Sequence, residues 1–201
     1  TKAQRNYIHK VKLSSDSLLG LINDILDFSK IEAGQLVIDH IPFDPMTNFQ
    51  DVIELMEPKA VEKRLKLSMS IDPELNTPLI GDPLRLFQVI LNLIGNAVKF
   101  TSHGHVTLNA IHLESNDSTV SMKVVVSDTG IGISEENKHK LFQAFSQADS
   151  TTTRKFGGTG LGLNISQKLV KAMGSEISVA SVLGKGSEFS FVLTLPRSDA
   201  K

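Results

Sequence analysis

The sequence predicts an α/β chain in which one long helix leads into a domain of interleaved helices and strands. Three observations predict it. Apolar residues recur at steps of three and four from Ile8 to Ile25. The same helical spacing returns at 44–60, 82–101 and 163–173. Between these segments lie short alternating or continuous apolar runs at 65–71, 106–113, 120–127, 176–181 and 187–195, set among turn residues.

The bulk numbers bound the class. At 201 residues the chain suits one domain of ordinary size plus an appendage. Its 40% hydrophobic content is enough for a sizeable core, and a net charge of −1 points neither to nucleic acid nor to an acidic membrane surface. There is no cysteine, hence no disulfide framework and no thiolate metal site, which suits a reducing, cytoplasmic compartment. No apolar run approaches the roughly 20 residues that span a bilayer. The chain starts at Thr1 without Met, so a piece of something longer is expected.

Thr1-Lys-Ala-Gln4 has the form of a capping box and opens the first helix. Ile8, Val11, Ser15, Leu18, Ile22, Ile25 and Ser29 form its stripe, Leu19 and Leu26 widen it, and Gly34 is a stop signal. At 1.5 Å per residue this helix is roughly 50 Å long. A compact domain of this size does not cover that length, so a partner helix is expected, from elsewhere in the chain or from a second copy. Residues 36–41 read as a short strand or linker. Asp44-Pro45 opens the next helix, with Met46, Phe49, Ile53, Met56 and Ala60 in register. Leu65–Ile71 reads as a strand and 73–78 as a loop.

The central segment is 82–101. Asp82 is placed as N-cap and Pro83 at the first helical position. Leu84, Phe87, Leu91, Ile94 and Val98 form an apolar stripe. Gln88, Asn92, Asn96 and Lys99 form a second, polar one. A solvated face is the plain reading of such a stripe, but solvated faces usually carry Glu and Lys. Two carboxamides one turn apart offer hard neutral oxygens suited to Mg2+, which is usually held together with substrate phosphates.

Val106–Leu113 and Val120–Ser127 read as strands. Asp128-Thr-Gly-Ile-Gly132 ends the second, and its glycines permit close backbone approach or positive φ. Asp128 reads either as a turn residue or as a base reader: a carboxylate only accepts hydrogen bonds, so it would take the amino group of adenine and repel the oxygen of guanine. Ser134 is expected to cap a helix running through Phe142 and Phe145. The polar 146–156 stretch reads as a mobile loop. Gly157-Gly-Thr-Gly-Leu-Gly162 then opens onto a helix at 163–173, a setting suited to phosphate. It follows a helix and loop rather than a strand, which argues against a dinucleotide-binding turn. Two closing strands are joined by a turn at Gly184-Lys-Gly186.

The order of an Asn-rich helix, DTGIG, FQAF, GGTGLGL and GKGSEF resembles the catalytic, ATP-binding domain of sensor histidine kinases, within the wider GHKL family that includes gyrase and heat-shock chaperones. The resemblance covers about 42–196. Residues 3–34, ending LLGLINDILDFSKIEAG, resemble the second helix of the dimerisation and histidine-phosphotransfer domain, in wording typical of hybrid kinases. It implies an α/β (α+β) two-layer sandwich, the Bergerat or GHKL fold, with a mixed and mostly antiparallel sheet. Residues 1–35 would be the phosphotransfer helix and 36–201 the ATP-binding domain. ATP and Mg2+ are the implied substrate and metal. Asn96 would coordinate Mg2+, with Asn92 assisting, and Lys99 would pair with phosphate. Asp128 would read the adenine amino group, with Gly130 and Gly132 shaping that wall and Ser187 supporting it. Phe142 and Phe145 would anchor a lid over 146–160. Gly158, Thr159, Gly160, Leu161 and Gly162 would wrap the triphosphate.

Two departures matter. The family's Met-Gly-Gly is here Met173-Gly174-Ser175. None of His9, His40, His103, His105, His112 and His139 is followed by an acidic residue, so the phosphoacceptor histidine is expected upstream of Thr1. The resemblance also implies a receiver domain or response regulator as partner and a homodimeric, membrane-held parent. Two other classes stay open: a GHKL ATPase or chaperone, and a regulatory module without catalysis. The ATPase branch places a Glu one turn before the Mg2+ Asn; this chain has Asn92.

Overall fold

The computed structural model describes residues 2–144 and 160–198. Thr1 and its expected capping box lie partly outside them. Helix α1 spans Lys2–Glu32. Gly34, at φ +65°, ends it: the Gly34 N–H returns to Ile31 O and the Gln35 N–H to Lys30 O, the paired bonds of a glycine-terminated helix. The stripe residues Ile8, Val11, Leu18, Ile22 and Ile25 remain 44–69% exposed. The last turns of α1 meet the domain, where Phe28 and Ile31 pack against the core.

Strand β1 (Ile41–Phe43) pairs antiparallel with β3 (Leu79–Gly81). Three residues are too few to show a period, so the second of these was not legible in the sequence. Helix α2 (Pro45–Glu62) starts as the sequence predicts, the Asp44 carboxylate accepting the N–H groups of Met46 and Thr47 at 3.1 and 3.2 Å. Strand β2 (Lys66–Ile71) follows, then a single 3-10 turn at Pro73–Leu75.

Helix α3 (Pro83–Phe100) has Asp82 as its cap, accepting Arg85 N–H at 2.9 Å. Its core face differs from the predicted stripe. Leu86, Val89, Ile90, Leu93, Ile94, Ala97 and Val98 are buried, whereas Leu84 is exposed and Phe87 and Leu91 are half-buried. The helix is apolar over more than one face, so spacing alone admitted two rotations; packing against α2 and the sheet selects one.

Strands β4 (His105–Ser115) and β5 (Thr119–Asp128), then β6 (Ser178–Val182) and β7 (Gly186–Pro196), join β2 in one sheet of order β2-β4-β5-β7-β6. Only β2 and β4 run parallel; the rest is antiparallel. Val106, Leu108 and Ala110 of β4 stand opposite Asp128, Val126 and Val124 of β5, and the apolar ones among them line the face covered by the helices. The other face carries Thr107, Asn109, Lys123 and Glu188, partly exposed. This is the two-layer α/β sandwich with a mixed, mostly antiparallel sheet.

Helix α4 is only Glu135–Lys138, and Ser134 makes no side-chain cap, against the predicted helix through Phe142. The reason lies in tertiary contacts. Phe142 packs half-buried on the core, and its carbonyl accepts Asn164 Nδ2 at 2.6 Å. Helix α5 (Gly162–Ala172) begins at the glycine-rich stretch and buries Ile165, Leu169 and Val170.

Candidate functional site

The site is built around the polar side of α3. Asn92 Nδ2 donates to Ser166 Oγ of α5 at 2.8 Å, and Asn96 Nδ2 reaches Asn92 Oδ1 at 3.5 Å. A Cβ at Gly162 would stand 2.5 Å from Asn92 Oδ1, so the start of α5 lies directly against this carboxamide. Gly160, at φ +71°, turns the chain into that contact, and Leu161 is buried beneath it. Structure therefore brings Asn92, Asn96, Gly160, Leu161 and Gly162 together. Lys99 lies on the same helix; burial lowers its pKa below 10.5, and its Nζ stands 4.9 Å from the Phe100 ring centroid. Phe145, Gly158 and Thr159 lie outside the described residues.

Gln88 does not join this group. Its Nε2 donates to Asp27 Oδ2 of α1 at 2.7 Å, and its Oε1 accepts Arg85 Nη1 at 2.8 Å. The polar stripe of α3 thus divides: its first residue holds α1, while Asn92, with Asn96 beside it, stands against the start of α5. Sequence spacing could not separate the two uses.

Asp128 closes β5, in register with Ser187 of β7. Its Oδ1 accepts the Gly130 N–H at 2.7 Å. Burial raises its carboxyl above 3.8, against the opposing pull of the Gly130 and Ser187 backbones and the Thr101 side chain. Gly130 is required by contact: a Cβ there would stand 2.6 Å from Phe100 O. Gly132 is required twice over, by φ +65° and by the Val182 carbonyl that a Cβ would strike. Ser187 Oγ lies 3.0 Å from Ser181 Oγ, whose proton goes to Gly186 O at 2.8 Å. Ser187 is therefore the donor of that pair, which leaves its lone pairs free to accept.

The half-buried carboxyl, glycine wall and paired carboxamides belong to a helix-on-sheet sandwich, and residues 81–198, more than half the chain, match the sequence model of the "Histidine kinase-, DNA gyrase B-, and HSP90-like ATPase" family. The chain belongs to that family of ATPases. Among curated relatives, this family member is 47% identical over 198 residues to the sensor histidine kinase GacS of Pseudomonas protegens, covering 98% of this chain and 22% of that protein. It is 44% identical over 195 residues to the signal transduction histidine-protein kinase BarA of Escherichia coli, covering 97% and 21%. It thus spans about a fifth of these relatives' length. Its fold matches full-length ShkA in complex with AMPPNP at a TM-score of 0.79 and 36% identity, covering 100% of this chain and 40% of that one.

As a family member the chain offers carboxamides where a metal would be sought. Among the described residues no group of three or more His, Cys, Asp or Glu could hold a metal ion. The Asn92 and Asn96 oxygens suit a hard cation that takes its remaining ligands from phosphates and water. No helix of the described residues is long and apolar enough to cross a membrane. Sequence reading missed Thr101, Lys63, Ser166 and Asn164, because none stands in a recurrent pattern.

Proposed function

We propose that this chain is the ATP-binding catalytic part of a two-component sensor histidine kinase. Residues 36–201 form the catalytic domain, and 1–35 form the second helix of the dimerisation and phosphotransfer unit. The γ-phosphoryl of ATP passes to a histidine outside this chain and from there to a receiver aspartate. The parent is a homodimer, and the exposed stripe of α1 is the face its partner helix covers.

Asp128 accepts the adenine amino group, with Gly130 and Gly132 as the close wall and Ser187 accepting from a water or the base beside it. Lys99, partly desolvated, pairs with phosphate. Gly158, Thr159, Gly160, Leu161 and Gly162 wrap the triphosphate, and Phe142 and Phe145 anchor the lid. Asn96, with Asn92 beside it, would hold Mg2+ against the phosphates, where the ion would neutralise charge as the phosphoryl leaves.

The observation that carries a kinase over an ATPase is Asn92. It occupies the place of a water-activating carboxylate, one turn before Asn96, and is tied to Ser166 at 2.8 Å. A carboxamide does not take a proton from water, so hydrolysis is slow and ATP is kept for transfer. Calorimetry with Mg2+ is the test: ATP binds, GTP binds weakly, and Asp128→Asn abolishes the difference. Incubated alone with labelled ATP, the chain takes up no stable label and turns over slowly. Fast turnover would restore the ATPase reading, and absence of ATP binding would favour a regulatory module.

A further inference from the structure

Thr101 lies outside every pattern the sequence shows, yet it sits against the centre of the site. It ends α3, its N–H returning to Ala97 O at 3.0 Å. Its side chain is wholly buried. The hydroxyl makes no hydrogen bond with any described atom, although it favours the charged form of the Asp128 carboxyl against that group's upward shift. A buried hydroxyl left in this state is a cost to the empty fold, and valine has nearly the same shape without it.

The surroundings hold Thr101 in place. Lys63 Nζ donates to the carbonyls of Val98, Lys99 and Thr101 at 2.7, 2.8 and 3.0 Å, using all three of its protons on the end of α3. The neighbouring Phe100 carbonyl accepts the Ile131 N–H at 3.4 Å, and Gly130 lies against the same oxygen. The end of α3 and the Asp128–Gly132 loop are therefore one assembly. One carboxylate oxygen of Asp128 is held by the Gly130 N–H at 2.7 Å, and the Ser187 backbone also favours the charged group, with the Thr101 hydroxyl beside them.

We propose that Thr101 is a specificity-determining positioning residue, whose hydroxyl donates to the Asp128 carboxylate and turns its free lone pairs toward the amino group of a bound adenine. This inference rests on the reading of Asp128 as the group that meets adenine. The Gly130 and Ser187 backbones and the anchored Thr101 hydroxyl together set the carboxylate plane. Without the hydroxyl the carboxylate is held less tightly, and discrimination between an amino group and an oxygen falls.

The test compares Thr101→Val, Thr101→Ser and Asp128→Asn by calorimetry with Mg2+-ATP and Mg2+-GTP, and by thermal melting without nucleotide. Thr101→Val is expected to weaken ATP about tenfold, the loss of one hydrogen bond to a charged group. GTP binding changes little, so the ATP preference narrows by a similar factor. The melting temperature of the empty protein is unchanged or higher, and Thr101→Ser restores the parent's ATP preference. ATP binding by Thr101→Val equal to the parent's would overturn the inference. So would a lower melting temperature without a narrowed ATP preference, which marks a structural hydroxyl. Should Asp128→Asn itself keep the parent's preference, the adenine reading fails first, and this inference with it.

Discussion

Asp128 holds opposing influences in one side chain. Burial pushes its carboxyl above the ordinary 3.8, while the Gly130 and Ser187 backbones and the Thr101 hydroxyl favour the charged form. The net shift is upward, so ionised Asp128 costs the fold stability above its folded pKa, and that cost is relieved as the pH falls and the proton is taken up. Only the charged form can accept from adenine on both oxygens. ATP binding therefore weakens on acidification at a pH above that at which an ordinary aspartate protonates. Carbon NMR of the Asp128 carboxyl is expected to titrate above 3.8 in the empty protein and lower when ATP is bound. A midpoint that does not move with ATP would separate this carboxyl from the base. Gly132 gives a second check at this scale. Its φ of +65° and the Val182 carbonyl leave no room for a Cβ, so Gly132→Ala should cost about 1–3 kcal/mol in urea unfolding and displace the wall of the site.

Helix α3 is secured at both ends, and the site depends on both. At its start the Asp82 carboxylate accepts Arg85 N–H at 2.9 Å and also Asp39 N–H at 3.0 Å, which ties the segment after α1 to the same cap. At its end Lys63 supplies protons to three carbonyls that have no helical partner, a cation placed at the negative end of the helix. Lys63→Met removes those bonds and keeps the aliphatic stem. It should lower stability by about 1–3 kcal/mol and weaken ATP binding through the displaced Thr101. Equal unfolding midpoints for Lys63→Met and the parent would show the end of α3 to be held by packing alone. The element most altered by its neighbours is α4. Its polar sequence forms four residues of helix, after which Phe142 packs on the core and its carbonyl accepts Asn164 Nδ2.

At the scale of the molecule, the last turns of α1 attach it to the domain. Arg85 meets Asp27 at 3.1 Å with both side chains mostly buried, Gln88 shares the same carboxylate, and Lys168 pairs with Glu32 while its Nζ lies over the Phe28 ring at 4.9 Å. The partial burial makes the Arg85 pair stronger than an exposed ion pair and its loss more costly. Arg85→Ala should raise hydrogen exchange across 24–33 while ATP affinity stays within about twofold, since none of the bonds among these groups goes to Asn92 or Asp128. A matching loss of ATP binding would mean that the attachment of α1 shapes the site itself.

Much of this protein was legible in its sequence. Asp44 and Gly34 act through their own backbone neighbours, so local chemistry specifies them wherever the chain goes. The strands of the five-stranded sheet announced themselves by apolar pattern, and Asn92, Asn96, Asp128 and Gly162 by motif. What tertiary structure decided was the use of groups whose partners are far along the chain. It chose which face of an apolar α3 is core, gave Gln88 to Asp27 across 61 positions, and paired the short β1 and β3. It also brought Lys63 to the end of α3 and Thr101 against Asp128. A single polar residue carries no period, and its role is set by which neighbours the packed layers place within hydrogen-bond reach.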